Sequence, residues 1–166
     1  MRLSNRNRMP VYNFLYSLCS IFLILGIIAF VLEINTFDVL GNKSWILLLI
    51  PVLLLLLLYF LGRPIFEYDS DGEALNFRNN HILLVFSKKN IKDEFPKYKL
   101  IKFNIINALI FKRLYVYISS KKTHISILKY DISFLSRKQI NDLKFSLNKV
   151  VKNNQENKQE DNTAKD

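Results

Sequence analysis

Two long stretches of uncharged residues before residue 62 constrain what this chain can fold into. Residues 11–32 read VYNFLYSLCSIFLILGIIAFVL, and a helix of that length is about 33 Å long, enough to cross a hydrocarbon core. Residues 45–61 read WILLLIPVLLLLLLYFL and form a helix of about 26 Å. A chain of 166 residues leaves too little other sequence to bury both helices on all sides. The sequence therefore predicts two transmembrane helices, at 11–32 and 45–61.

A cleaved signal peptide is the alternative for the first stretch, because Arg2, Arg6 and Arg8 precede it. The apolar run is longer than the roughly 7–15 residues of a signal-peptide core, and no small-residue cleavage motif follows it. We therefore expect residues 11–32 to be retained as a membrane span.

The charges of the loops predict the orientation of the two helices. Residues 1–10 carry three arginines and no acid, whereas residues 33–44 carry Glu33, Asp38 and a single Lys43. Segments rich in Lys and Arg stay on the cytoplasmic side. The sequence predicts a basic cytoplasmic N-terminus at 1–10, an external loop at 33–44 and both termini in the cytoplasm.

Beyond Gly62, short runs rich in β-branched and aromatic residues alternate with turn residues, as in an antiparallel sheet. The predicted strands are 65–68, 74–78, 81–86, 97–103, 107–111, 114–119 and 123–130. We expect a small β-rich α+β domain over residues 62–152, with a sheet or barrel of about seven strands closed by one C-terminal amphipathic helix.

The closing helix is predicted from its first turn. Ser136 and Gln139 have the spacing of a capping box, which begins a helix at Arg137. One face of this helix is an apolar stripe that would lie on the sheet, formed by Ile140, Leu143, Leu147, Val150 and Val151. Phe145 lies off the stripe, either as an ordinary exposed aromatic or as a contact to a partner. The polar segment 153–166 is predicted to be disordered.

The stretch FEYDSDGEALNFRNN, residues 66–80, places three carboxylates and a glycine within five positions: Asp69, Asp71, Gly72 and Glu73. A calcium loop of the EF-hand type needs glycine at its sixth position and glutamate at its twelfth. Counted from Asp69, glycine is fourth and the twelfth residue is Asn80. An acid–base pair would need a cleft and a nucleophile that the neighbouring residues do not indicate. We predict a tight hairpin turn.

Two spans followed by about seven short strands and one capped helix resemble bacterial membrane proteins with a pleckstrin-homology-like (PH-like) domain, including the YcxB-like and related families. YDSDGEAL, residues 68–75, resembles the first hairpin of such domains, and ISFLSRKQINDLKFSLNKV, residues 132–150, resembles their closing strand and Ser-capped helix. The resemblance covers residues 10–151 and implies a binding or scaffolding module at a bacterial inner (plasma) membrane. It carries over no catalytic residue. The acidic first turn departs from the basic hairpin of phosphoinositide-binding domains, which argues against inositol-lipid recognition.

Positive charge is concentrated between residues 75 and 130, a segment that contains twelve Lys or Arg residues and only two acidic residues. Basic side chains near an anionic membrane surface each gain about 1 kcal/mol, so this block would dock on anionic lipid head groups; a solvated basic surface is the alternative. The candidate contacts for lipid or a partner are expected near strand ends, where several would share one edge: Lys112, Arg113, Lys121 and Lys122.

Other classes of site find little support in the sequence. Tyr98, Phe103, Tyr115 and Tyr117 interleave with the lysines, but their strand spacing favours a core, and no nucleic-acid-binding motif is present. No metal, cofactor or catalytic motif is recognisable. We therefore expect a non-enzymatic binding or scaffolding module, whose partners are the lipid bilayer, with its anionic head groups, or another membrane protein. An accessory subunit of a larger membrane complex is the alternative, and a membrane-bound enzyme is less favoured.

Overall fold

The computed structural model describes residues 1–37, 43–80, 91–120 and 124–163. In this part of the chain seven strands follow one another: β1 (Arg2–Ser4), β2 (Ile65–Asp69), β3 (Ala74–Asn80), β4 (Ile91–Pro96), β5 (Leu100–Asn107), β6 (Lys112–Ser120) and β7 (His124–Asp131). The α-helices are α1 (Met9–Leu32), α2 (Ile46–Leu61) and α3 (Arg137–Thr163).

One helix in the described residues is long and apolar enough to cross a membrane: the helical segment Arg6–Asn35, which contains α1. The predicted span at 11–32 lies within it. The prediction of a second full span at 45–61 is not supported, because α2 has only 16 residues. Its length of about 24 Å falls short of a hydrocarbon core of about 30 Å.

The two apolar helices pack closely where α1 has a glycine. A Cβ atom on Gly26 would lie 2.6 Å from the carbonyl oxygen of Leu47 and 3.1 Å from Pro51 Cγ. Pro51 has no amide hydrogen, so it cannot bond the carbonyl of Leu47 within α2. Close approach through small residues is typical of helix pairs in membranes, and Gly26 permits it here.

The strands form two separate antiparallel sheets, in the orders β1-β2-β3-β4 and β5-β6-β7. The coarse expectation of a small β-rich α+β domain with a C-terminal helix is confirmed. The expectation of a closed barrel is wrong for the part of the chain that the structure describes, because β4 and β5 do not pair and the two sheets stay open. A short 3-10 turn, Lys97–Lys99, separates those two strands.

The predicted strands differ from the structure at several points. The segment predicted as a strand at 107–111 lies, after Asn107, in the turn between β5 and β6, and the strand predicted at 97–103 begins in the Lys97–Lys99 turn; β1 and β4 were not predicted. β1 is only three residues long and pairs with β2, with Arg2 opposite Asp69 and Ser4 opposite Glu67. The predicted strand at 81–86 lies outside the described residues.

The Asp-Gly stretch forms the predicted hairpin turn between β2 and β3. The amide of Asp71 donates to Asp69 Oδ1 at 2.9 Å, and Gly72 has a positive φ of 70°. The Met1 ammonium donates a hydrogen bond to Asp71, and this contact holds the pKa of the exposed Asp71 carboxyl below its usual value. These acids therefore shape a turn.

Aromatic rings from both sheets meet in the core beneath α3. Phe77 stacks on Phe95 at a centroid distance of 5.7 Å and on Tyr130 at 4.8 Å. The helix covers these rings with its apolar stripe, of which Leu143 and Leu147 are fully buried. The domain therefore has one core, to which both sheets and α3 contribute.

The start of α3 follows the sequence prediction, whereas its end does not. Ser136 and Gln139 form the capping box, with Gln139 N donating to Ser136 Oγ at 3.2 Å and Ser136 N to Gln139 Oε1 at 3.0 Å. The helix then continues to Thr163, through most of the segment 153–166 that was expected to be disordered. Asn154 gives the physical reason, because its side-chain amide donates to the carbonyls of Lys97 at 2.7 Å and Leu100 at 2.9 Å.

Candidate functional site

Lys112 and Arg113 are the first two residues of β6, at the end of the domain that adjoins the apolar helices. Lys121 and Lys122 lie outside the described residues. In sequence they follow Ser120, the last residue of β6. That several of the four cations share one edge therefore stays a prediction.

Asp131, the last residue of β7, is the centre of an ion-pair cluster at this end. Its Oδ1 accepts from Arg113 Nε at 3.2 Å. Its Oδ2 accepts from the backbone amide of Arg63 at 3.2 Å and lies 3.7 Å from the Arg63 guanidinium. The Asp131 side chain is only 13% exposed. The cluster therefore ties the segment just after α2 to the second sheet.

Arg63 and Arg113 both pair with the Asp131 carboxylate, so these three side chains together carry a formal charge of +1. The Arg113 guanidinium also lies 4.3 Å from the ring centroid of Phe111, a cation–π contact that holds its plane against an aromatic face. Arg113 is thus fixed between a carboxylate and a ring.

Lys112 is held by its backbone, which leaves its side chain free to act as a cation. Its amide donates to Ser133 Oγ at 3.1 Å, and its carbonyl accepts from the amide of Ile132 at 2.9 Å. The residue as a whole is partly exposed. Of the two described candidates, Lys112 is the one whose charge is not already used inside the fold.

The same end of the domain is fastened to both apolar helices. The Tyr12 ring of α1 packs edge-on against Phe134 at 4.9 Å. Asn5 donates to the carbonyl of Pro64 at 2.7 Å and accepts from the amide of Phe66 at 2.8 Å. Asn79 donates to the carbonyls of Ile65 and Asp131, each at 3.0 Å. Lys112 and Arg113 are therefore held close to the ends of the helices.

Among the residues at this end, the sequence analysis had predicted a role only for Lys112 and Arg113. The two asparagines could not be predicted, because their hydrogen-bond partners lie far away in the sequence.

A groove of about 810 Å³ lies at the opposite end of the domain, between α3, the β2–β3 turn and the Lys97–Lys99 turn. Phe145 and Tyr98 both line it, and the two residues are 74% and 69% exposed. Phe145 is thus not an isolated exposed aromatic. Two large rings facing the same groove are typical of a contact surface for another protein.

Glu67 and Asp69 line a smaller groove of about 260 Å³. Glu67 lies 3.9 Å from the guanidinium groups of both Arg6 and Arg78, and Asp69 lies 4.0 Å from Arg2. Across the described residues, no three His, Cys, Asp or Glu side chains cluster to hold a metal ion. These carboxylates bind β1 and its neighbours to the sheet by ion pairs.

Comparisons with protein-family models, curated proteins and solved structures find no match to this chain. The functional proposal therefore depends on the geometry of the chain itself.

Proposed function

We propose that this chain is an integral membrane protein whose β-rich, PH-like domain is a non-enzymatic binding module at the cytoplasmic face of a bacterial inner membrane. The observation that carries the proposal is the pairing of β1 with β2. β1 precedes the apolar helices and β2 follows them. The two strands can share a sheet only if the helices leave and return on the same side of the membrane.

The shape of the helical pair supports this arrangement. α1 is long enough to cross the bilayer, and α2 brings the chain back. A short apolar helix is accommodated by local thinning of the bilayer or by flanking residues that reach the interface. Trp45, half exposed just before α2, and Arg63, just after it, are residue types that favour the two interfaces.

The arginines at the N-terminus support the cytoplasmic orientation. Arg2, Arg6 and Arg8 lie on the same side of the helices as the domain, because β1 is part of its first sheet. The orientation that keeps these cations in the cytoplasm therefore also places the domain there.

Anionic lipid head groups are the ligand that the helix-proximal cations fit best. Lys112 lies beside the cluster of Arg63, Asp131 and Arg113, which carries one net positive charge. Because the domain is held close to the ends of the helices, these charges lie near the lipid surface, where each is worth about 1 kcal/mol.

Reversal of one charge tests this proposal. In lipid nanodiscs, the full chain should have a higher Tm with phosphatidylglycerol than with phosphatidylcholine, and the difference should shrink as salt is raised. Lys112→Glu should remove about half of the difference or more, because it turns an attraction into a repulsion. Lys144→Glu, at an exposed position on α3, should leave the difference unchanged.

Two outcomes would count against lipid binding by this end of the domain. One is a Tm that does not depend on the lipid charge. The other is an equal loss from Lys112→Glu and Lys144→Glu, which would indicate a general effect of net charge.

The groove lined by Tyr98 and Phe145 favours a second candidate function, that of an accessory subunit whose distal end contacts another membrane protein. A photocrosslinking residue at Phe145 should capture one defined protein in native membranes, whereas the same residue at Lys129, exposed on β7, should not. Recovery of the chain alone would contradict this candidate.

A further inference from the structure

The hairpin that joins β5 to β6 ends in apolar residues that nothing else in the described structure covers. Its two tip residues are Leu109 and Ile110, which are 104% and 49% exposed. The hairpin is closed by the amide of Ala108, which donates to the carbonyl of Phe111 at 2.9 Å. Two aliphatic side chains therefore project into the surroundings from a tight turn.

The residue types at this tip are unusual for the turn they form. Two-residue hairpin loops favour glycine, asparagine and aspartate, since their backbone often needs positive φ. Leu109 and Ile110 have negative φ and offer none of the hydrogen bonds that short polar side chains make in turns. Neither local conformation nor packing against the core explains why leucine and isoleucine occupy the tip.

The position of the hairpin connects this tip to the membrane. Its base is Lys112, whose backbone is hydrogen-bonded to Ile132 and Ser133. Ile132 and Ser133 are flanked in sequence by two residues that contact the helical segment. Asp131 contacts Arg63, just after α2, and Phe134 contacts Tyr12 of α1. The tip thus projects from the end of the domain at which both apolar helices are attached.

The residues that follow the tip have side chains in the order that suits a bilayer surface. From the tip towards the domain come two aliphatic residues, the ring of Phe111, and then the cations Lys112 and Arg113. Aliphatic side chains favour the acyl region, aromatic rings favour the interface, and cations favour the head groups.

We propose that the β5–β6 hairpin is a membrane-inserting loop: Leu109 and Ile110 enter the acyl boundary of the leaflet next to the domain, while Lys112 contacts anionic head groups. This inference rests on the proposed membrane anchoring. The loop adds a third, non-spanning contact to the two apolar helices, and it fixes how the domain is tilted on the membrane. It also sets the depth at which Lys112 meets lipid.

Depth-dependent fluorescence quenching tests the inference on the full chain. A Cys19→Ser background receives a single cysteine at Leu109, Lys144 or Ile24, labelled with an environment-sensitive dye, in nanodiscs that contain one protein copy. Lipids brominated on their acyl chains should quench the dye at Leu109 several-fold more than the dye at Lys144. The dye at Ile24, within α1, should be quenched in every case.

A second variant separates insertion of the tip from mere proximity to the bilayer. A dye at Asn107, exposed at the base of the hairpin, should be quenched when the tip has its wild-type sequence. Its quenching should fall to that of the dye at Lys144 when Leu109→Asp and Ile110→Asp are introduced together. Both substituted residues are exposed, so we expect the fold to tolerate the change. An unchanged Tm in detergent would show that the fold is intact.

Three other quenching results would contradict the inference. Quenching at Ile24 without quenching at Leu109 would overturn the loop insertion and leave the membrane anchor standing. Absence of quenching at Ile24 would overturn both. A change at Leu109 seen only with several copies per nanodisc would assign the tip to a contact between copies of this chain and overturn the lipid contact.

Discussion

Gly62 joins the apolar helices to the β-rich domain in a backbone conformation that other residues avoid. Its φ and ψ are 80° and −148°, a region populated almost only by glycine. A Cβ atom at this position would lie 2.5 Å from Cγ of Asp131. Any side chain at residue 62 would therefore displace the carboxylate that Arg63 and Arg113 share.

We expect Gly62→Ala to lower the free energy of unfolding by about 1–3 kcal/mol for the strained backbone alone, and by more through displacement of Asp131. Denaturation of the detergent-solubilised chain measures this loss. Gly72→Ala is the matched control, because Gly72 also has positive φ but a Cβ there would meet no atom within 4 Å. Equal losses in the two variants would show that the contact with Asp131 contributes nothing.

Tyr130 combines full burial with a hydrogen bond that opposes its ionisation. Its hydroxyl donates to Asp93 Oδ2 at 2.8 Å. Burial chiefly, together with the hydrogen bond and the negative charge of Asp93, raises the pKa of Tyr130 above its ordinary value of 10.0. The folded state therefore holds this proton more tightly than the unfolded state does.

It follows that the stability contributed by protonated Tyr130 is present below about pH 10 and is lost as the pH rises above that value. The Tm should therefore fall as the pH rises above about 10. Tyr130→Phe should make this decrease shallower, although loss of the hydrogen bond costs about 1 kcal/mol at neutral pH. Tyr68, whose pKa is also raised by burial, should retain part of the decrease. An unchanged slope in the variant would contradict this account.

At the scale of elements, the last three turns of α3 show how one side chain extends a helix. Residues 153–163 are almost entirely polar and bury little apolar surface. Asn154 nevertheless binds two carbonyls at the junction of the Lys97–Lys99 turn with β5. The helix is thereby fixed to the rest of the domain beyond its apolar stripe.

We expect Asn154→Ala to speed amide hydrogen exchange roughly tenfold at residues 155–163, since two lost hydrogen bonds are worth about 1 kcal/mol each or somewhat less at a partly exposed site. Exchange at residues 140–147 should not change, because the capping box and the core hold them. Asn148→Ala, at an exposed position of the same helix, is the control. Faster exchange in both variants would point to helix propensity rather than to the bonds of Asn154.

Across the whole molecule, the pairing of β1 with β2 requires the apolar helices to return the chain to the side from which α1 starts. In the proposed membrane arrangement, both ends of the helical pair must therefore lie on one side of the bilayer, or the first sheet loses an edge strand. Asn5, buried between Pro64 and Phe66, fastens the same junction.

Thiol labelling of intact cells tests this topology. On a Cys19→Ser background, a cysteine at Asn42, between α1 and α2 in sequence, should react with a membrane-impermeant reagent. A cysteine at Asn153 should react only after the cells are permeabilised. The reverse pattern would place the basic domain outside, and labelling at both positions would contradict the shared side that β1 and β2 require.

Patterns confined to neighbouring residues were sufficient for several elements. The uncharged run at 11–32, the Asp-Gly turn at 69–72 and the capping box at Ser136 and Gln139 were all predicted from sequence. In the turn and the capping box the stabilising partners lie within a few residues of each other, and in the apolar run length and hydropathy alone indicate the helix. The same reasoning gave a wrong prediction at 107–111, because the apolar residues at 108–111 are typical of a strand although they form the turn between β5 and β6.

The sequence by itself therefore determined that the chain has an apolar helical segment followed by a β-rich domain and a capped helix. Only the tertiary structure decided that β1 joins β2, that two open sheets replace a barrel, and that Arg113 is bound to Asp131 while Lys112 is left for other contacts. These features take their free energy from partners far apart in the chain, such as Asn5 with Phe66 or Arg63 with Asp131. No local pattern of residues encodes such pairs, because each partner taken alone fits many other environments equally well.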